Sequence, residues 1–248
     1  MFKGFYGLTS GMLTQNRNLN VISGNMVNAL TPGYKKDTYL SGTFKDELFV
    51  RSGNKDREDE TPVGSTSMIR ASYGTAVDYS QGAFKETGNN LDVALVDKGF
   101  FQIQSQNGLV YTRNGSFMID DGGYLAVSGV GRVMGAGGPI SMPGTDIQIS
   151  QSGEILSSDG TLIDQIRVVD FADYGQLTKT DSNLFTSAVP PLNSDTGMIW
   201  KAVESSNAEP IEQMTAMMTS QRNLQSAAQV LKMYDQLMGK ITTEIGRV

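Results

Sequence analysis

The chain has 248 residues, with no Cys, no His and a net charge of −6 from 26 acidic and 20 basic side chains. Without Cys there is no disulfide framework and no thiolate chemistry, and without His the commonest acid–base group and the usual partner of a nucleophilic Ser are both missing. The acidic balance argues against nucleic acid as a partner, and no apolar run nears the ~18 residues of a membrane-spanning helix.

Near the N-terminus, Leu8, Met12, Gln15, Leu19, Ile22, Met26 and Ala29 recur at alternating gaps of four and three. That period predicts an amphipathic helix over residues 5–29, ended by Thr31-Pro32-Gly33, where proline restricts the preceding residue and glycine permits the turn. Residues 1–36 carry no acidic side chain and eleven Ser, Thr, Asn or Gln residues. Such a segment stays soluble while unfolded and orders late against a partner. An ordinary helix packed on its own domain fits the same pattern. No cleavable secretion signal is expected, because Thr14 to Asn18 interrupt any apolar stretch.

Residues 36–79 read as an extended connecting segment. They include the charged run from Lys45 to Glu60, which is either a solvated loop or a piece that orders between neighbouring subunits. Residues 80–202 then carry turn signals at Asn107-Gly108, Asn114-Gly115, Asp121-Gly122-Gly123, Ser152-Gly153 and Asp159-Gly160. Strand-like runs lie between them, at 91–96, 100–103, 147–149 and 165–171. This predicts an all-β domain, a small barrel or a sandwich.

In the last segment, 203–248, Asn207 is the expected N-cap, with Glu209 near the positive helix end and Pro210 in the first turn. Met217, Leu224, Leu231, Met238 and Ile245 follow at every seventh residue. The expected fold is therefore α+β. Long helices at 1–35 and 203–248 pair as a coiled-coil-like domain, and the β domain is inserted between them.

Little in the chain carries chemistry. The glycine run Gly129, Gly131, Gly135, Gly137, Gly138 has neither dinucleotide nor P-loop spacing. Asp120 and Asp121 before Gly122-Gly123 are better explained as a hairpin turn than as a metal pair. No catalytic residue, no metal site and no cofactor is expected.

The stretch Ser10-Gly11-Met12 … Gln15 … Leu19 … Ile22 … Asn25-Met26 … Asn28 … Thr31-Pro32-Gly33-Tyr34-Lys35 resembles the N-terminal motif of bacterial flagellar axial proteins. Gln81-Gly82, Thr87-Gly88, Leu91 to Leu95, Gly99-Phe100-Phe101 and Tyr111 to Phe117 resemble the β domain of their rod and hook members. Asn183-Leu184-Phe185, Ser206-Asn207 and Met214 … Met218 … Gln221-Arg222 resemble their C-terminal segment.

The resemblance implies a basal-body rod subunit of the proximal or distal type (FlgF/FlgG), and the stretch after Lys35 leans toward the proximal one. It implies export through the flagellar type III apparatus without a cleaved signal, and helical stacking with copies of itself and other rod and hook subunits outside the cytoplasm. Membrane insertion and nucleic-acid binding are not expected. The seams would form the assembly surface, through Leu8, Met12, Gln15, Leu19, Ile22 and Met26 on one helix and Met217, Leu224, Leu231, Met238 and Ile245 on the other. The family motif falls on Asn25, Asn28, Thr31, Pro32, Gly33, Tyr34, Gln221 and Arg222. The alternatives are another axial protein, of the hook or hook-associated kind, and a carboxylate-based enzyme.

Overall fold

The computed structural model describes residues 2–51, 61–180 and 183–245, without the side chains of 2, 3, 44–51, 61, 62, 65–68 and 245. The chain divides into two units. One joins Met1–Val27, Asp37–Ala76 and Pro210–Val248, and the other joins Asn28–Lys36 and Val77–Glu209.

The first unit holds helix α1 (Phe2–Val27), strands β1 (Asp37–Arg51) and β2 (Thr61–Val77), and helix α2 (Pro210–Ile245). In α1 the hydroxyls of Thr9, Ser10 and Thr14 donate back to the carbonyls of Phe5, Gly7 and Gly11, so they satisfy themselves within the helix. Pro210 opens α2, where a missing N–H costs nothing, and Glu212 sits in the first turn beside the positive end of the dipole.

The helices pack side by side. Asn18 donates to Ser220 Oγ at 3.4 Å, and the Tyr234 hydroxyl lies where a Cβ on Gly4 would stand. As the α1 number falls, the α2 number rises by the same step, so the pair is antiparallel.

Two long paired strands, β1 and β2, occupy the region read from sequence as an extended connection or solvated loop. Tyr73 of β2 covers Gly42 of β1 and donates to the Thr43 carbonyl at 3.2 Å, a side chain supplying the packing surface glycine lacks. Residues 52–60, within the charged run, lie outside the described residues.

The second unit is β-rich. Its largest sheet has nine strands among the described residues. Its main path runs Leu177–Thr180, Leu184–Ser187, Gly108–Thr112, Phe100–Ser105, Gly131–Val133, Leu125–Val127, Phe117–Ile119. The two end strands do not pair with each other, so the sheet is open and no barrel closes. Val168–Asp170 joins the strand Phe100–Ser105, and a three-stranded sheet forms from Ile147–Ile149, Glu154–Ser157 and Leu162–Gln165.

Adjacent Phe100 and Phe101 point to opposite faces of their strand, as the pleat requires, and seed two cores. Phe101 joins Ile103, Val133, Ile147 and Ile155 in the larger. Phe100 joins Tyr111, Phe171 and Phe185 in an aromatic one.

Expected turns at Gly108, Gly123, Gly153 and Gly160 have the positive φ that favours glycine. Gly115 differs. Val93 N–H donates to its carbonyl at 3.0 Å and the Val93 backbone leaves no space for a Cβ, so this glycine serves close approach rather than a turn. Among the described residues no helix is long and apolar enough to cross a membrane.

Candidate functional site

In the helical unit the seam residues are partly covered by the chain itself. Ile22 is buried, and Leu8, Met12, Gln15, Leu19, Met26, Met217, Leu224, Leu231 and Met238 are half-buried. The Ile245 side chain lies outside the described residues. A different apolar set on α2 stays exposed: Ile211, Met214, Met218, Val230, Met233 and Leu237. The seven-residue repeat did not select them. Their signal is the three- and four-residue spacing of Ile211, Met214 and Met218.

Asn25, buried on α1, exchanges two bonds with the backbone of Asp37, donating to its carbonyl at 2.8 Å and accepting its N–H at 2.9 Å. The side-chain amide thus imitates a strand neighbour for the first residue of β1. Gln221 and Arg222 are exposed on α2.

The rest of the motif does not belong to the helix. Residues Asn28–Lys36, grouped with α1 by sequence, form a strap across the β-rich unit. Thr31 N–H returns to the Asn28 carbonyl, and Tyr34 N–H to that of Thr31. After Pro32, Gly33 adopts φ +67° with its Cα against the Arg113–Asn114 peptide, a position closed to any side chain. Gly33 N–H donates to the Glu204 carbonyl at 2.7 Å, and Asn183, itself at φ +58°, donates to the Gly33 carbonyl at 3.0 Å.

Asn207 was the expected cap of α2. It instead accepts Lys36 N–H at 2.7 Å and donates to the carbonyls of Asp78 and Ser80, because the helix starts three residues later.

A buried charge cluster closes this knot. Lys35 Nζ reaches Glu204 Oε1 at 2.6 Å and the Ser80 carbonyl at 2.7 Å. The Arg113 guanidinium contacts Glu204 Oε2 at 3.3 Å and donates to the Asp97 carbonyl at 2.8 Å. Gly82 N–H adds a bond to Glu204 Oε1 at 3.0 Å. Lys35 and Glu204 are each 1% exposed. Burial pulls the Lys35 amine below its ordinary pKa, while Glu204 works in the opposite sense. Lys179 covers the Tyr34 ring and donates to the Lys35 carbonyl.

The chain crosses between the two units at four points, where this unit begins or ends at Asn28, Lys36, Val77 and Glu209. Sequence reasoning missed Glu204 and Asn207 as partners of the strap. The one available hint was a charge closing the otherwise apolar strand Ala202–Glu204.

Asp120 and Asp121 sit in a hairpin. Asp120 accepts Tyr124 N–H at 2.8 Å and pairs with Arg132 at 2.7 Å; these two, the N–H foremost, hold its carboxyl below the usual range. Ser80 N–H does the same for Asp78. Both carboxyls have folded pKa values below the unfolded 3.8. Their contribution to stability is therefore present above that value and lost as pH falls through the folded pKa. Denaturant midpoints of the β-rich unit should fall as pH drops below about 4, and the Asp78→Asn/Asp120→Asn variant should show a shallower fall.

Comparison with known families gives two matches. "Flagellar basal body rod FlgEFG protein C-terminal" matches residues 201–244, the last β strand residues and nearly all of α2. "Flagellar hook protein FlgE/F/G D1 domain" matches residues 94–165. Flagellar basal-body rod protein FlgG of Bacillus subtilis (strain 168) is 31% identical, over 97% of this chain and 98% of its own length. Flagellar basal-body rod protein FlgF of Caulobacter vibrioides and the flagellar hook-basal body complex protein FlhO of Bacillus subtilis are each 25% identical over the whole of both chains.

Proposed function

Since the chain belongs to the flagellar basal-body rod protein family, we propose that it is a structural subunit of the basal-body rod. Copies of it and related axial subunits build a hollow helical shaft through their terminal helices and pass torque along it. The observation that carries this reading is similarity over nearly the whole chain to FlgG and over its whole length to FlgF and FlhO, so that both terminal helices fall within it. The antiparallel α1–α2 pair supports a coiled-coil-like packing of the terminal helices.

A repeated contact that does not close on itself yields a filament, so the mechanism needs packing surfaces and no catalytic group. The acid-free residues 1–36 suit export in the unfolded state through the type III apparatus, without a cleaved signal, to a final place outside the cytoplasm.

Deleting Phe2–Val27, which spares the strap, tests the reading. Basal bodies imaged from cells carrying only that variant should lack a complete rod. A complete, rotating rod would overturn the proposal.

A further inference from the structure

The dipeptide Asn-Gly occurs twice in the chain, at Asn107-Gly108 and Asn114-Gly115. In this pair an asparagine side chain reacts most readily with its own backbone, because glycine puts no Cβ in the way of the ring that forms. The fold treats the two copies oppositely.

Asn107 stands at the tip of the hairpin that joins Phe100–Ser105 to Gly108–Thr112, closed by the pair Ser105 and Gly108. Gln106, Asn107 and Gly108 are exposed, and the Asn107 amide has no hydrogen-bond partner among the described residues. Gly108 has φ +120°, and nothing lies within 4 Å of the place a Cβ on it would take. The Asn107 side chain can therefore turn its carbonyl carbon onto the Gly108 nitrogen.

Asn114 is held. Its Oδ1 accepts Ser116 N–H at 3.0 Å, its own N–H donates to Thr112 Oγ1 at 3.1 Å, and Gly33 of the strap lies against the peptide joining it to Arg113. Gly115 is buried against the Val93 backbone, whose N–H its carbonyl accepts. Ring closure at Asn114 must wait for local opening of the β-rich unit.

We propose that Asn107 is a self-modifying site that loses its amide to water as the protein ages, while the fold preserves Asn114. The Gly108 nitrogen gives up its proton and bonds to Asn107 Cγ. The Cγ–Nδ2 bond breaks, and ammonia leaves with that proton, so a five-membered succinimide remains. Water then opens the ring at either carbonyl. Position 107 becomes aspartyl or, with the chain rerouted through the side-chain carbon, isoaspartyl. Nothing is oxidised or reduced, and water is the only co-reactant.

The change is not silent. Asn107 lines an open basin of about 860 Å³ together with Asp120, Asp121 and Arg132. Asp120 already pairs with Arg132 at 2.7 Å. Conversion adds a third carboxylate to that wall, and the isoaspartyl form also lengthens a tight turn by one backbone methylene. The site goes beyond the rod reading and does not depend on it.

Purified full-length chain, incubated in mildly alkaline buffer and in parallel in denaturant, tests the proposal. Trypsin at mildly acidic pH, which prevents reaction after cleavage, places the two asparagines on separate peptides, 99–113 and 114–132. In the native chain, peptide 99–113 should gain the mass difference between amide and acid at least about tenfold faster than 114–132. Fragmentation should place the change at 107, and an isoaspartyl-specific methyltransferase should label that peptide. In denaturant the two rates should converge, since the contrast comes from the fold. Equal rates in the native chain, or no conversion of Asn107, would overturn the proposal. Asn107→Gln, whose longer side chain cannot close the five-membered ring, should abolish the label on 99–113 and leave Trp200 fluorescence unchanged. A label that persisted in that variant would place the reaction at another residue and overturn the assignment.

Discussion

Glu204→Gln should lower the stability of the β-rich unit by ~3–5 kcal/mol, the cost of removing one partner from a buried charge cluster. The amide keeps the shape of the side chain, so packing changes little. What changes is that Lys35, 1% exposed, loses its 2.6 Å partner, and Arg113 loses the contact at 3.3 Å. Lys35→Met should cost less, because Arg113 and Gly82 N–H still hold the carboxylate. The double variant should cost less than the sum of the two singles, since each substitution removes part of the other's penalty. Trp200 provides the readout. It is the only Trp in the chain, and in the β-rich unit its indole N–H donates to the Asn90 carbonyl at 2.8 Å. Denaturation followed by its fluorescence measures these differences, and a loss under ~1 kcal/mol for Glu204→Gln would mean the cluster is effectively solvated.

Leu224→Asp and Leu231→Asp should each destabilise the α1–α2 pair by roughly 2–4 kcal/mol and stop rod assembly. Both positions are half-buried on the face of α2 that also presents Met217 and Met238. By the same antiparallel offset Leu224 stands level with Thr14 and Leu231 with Gly7, neither of them a cation. Circular dichroism should show loss of helix while Trp200 fluorescence and the β-rich signal persist. Loss of the Trp200 signal as well would contradict independent folding of the β-rich unit. A motile strain carrying either variant would refute the role of the seam.

The helices were legible because their information is local. A 3.6-residue period, Pro210 and the Thr31-Pro32-Gly33 stop bring the expected ends within a few residues of Phe2–Val27 and Pro210–Ile245. Turn glycines were legible for the same reason, since φ near +76° at Gly123 and Gly160 is written into the residue type.

The open sheet was not legible, because closure depends on whether strands 60 residues apart pair, and no local pattern records that. The β1–β2 pair was hidden by its charges: hydropathy reads a solvated ribbon as loop even where backbone bonds hold it. Residues up to 35 were grouped with the N-terminal helix, whose end at Thr31-Pro32-Gly33 was legible, because Lys35 and Asn28 look like surface polar residues and not like a strap across the β-rich unit. The partners of Lys35, Glu204 in a strand and Asn183 in the turn before Leu184–Ser187, come near it in a way only the fold reveals.

The ion pair between Lys35 and Glu204 joins residues 169 positions apart. Loop closure over such a separation has an entropic cost that grows with the logarithm of length, and it is met before any of the knot's bonds form. Long-range contacts of this kind raise contact order and slow folding. The strap is therefore expected to dock late, after sheets built from nearer neighbours. Interactions formed after the rate-limiting step govern how fast a protein comes apart more than how fast it folds. Loosening the knot, as in Glu204→Gln, is therefore expected to speed unfolding of the β-rich unit more than it slows folding, which stopped-flow Trp200 fluorescence measures.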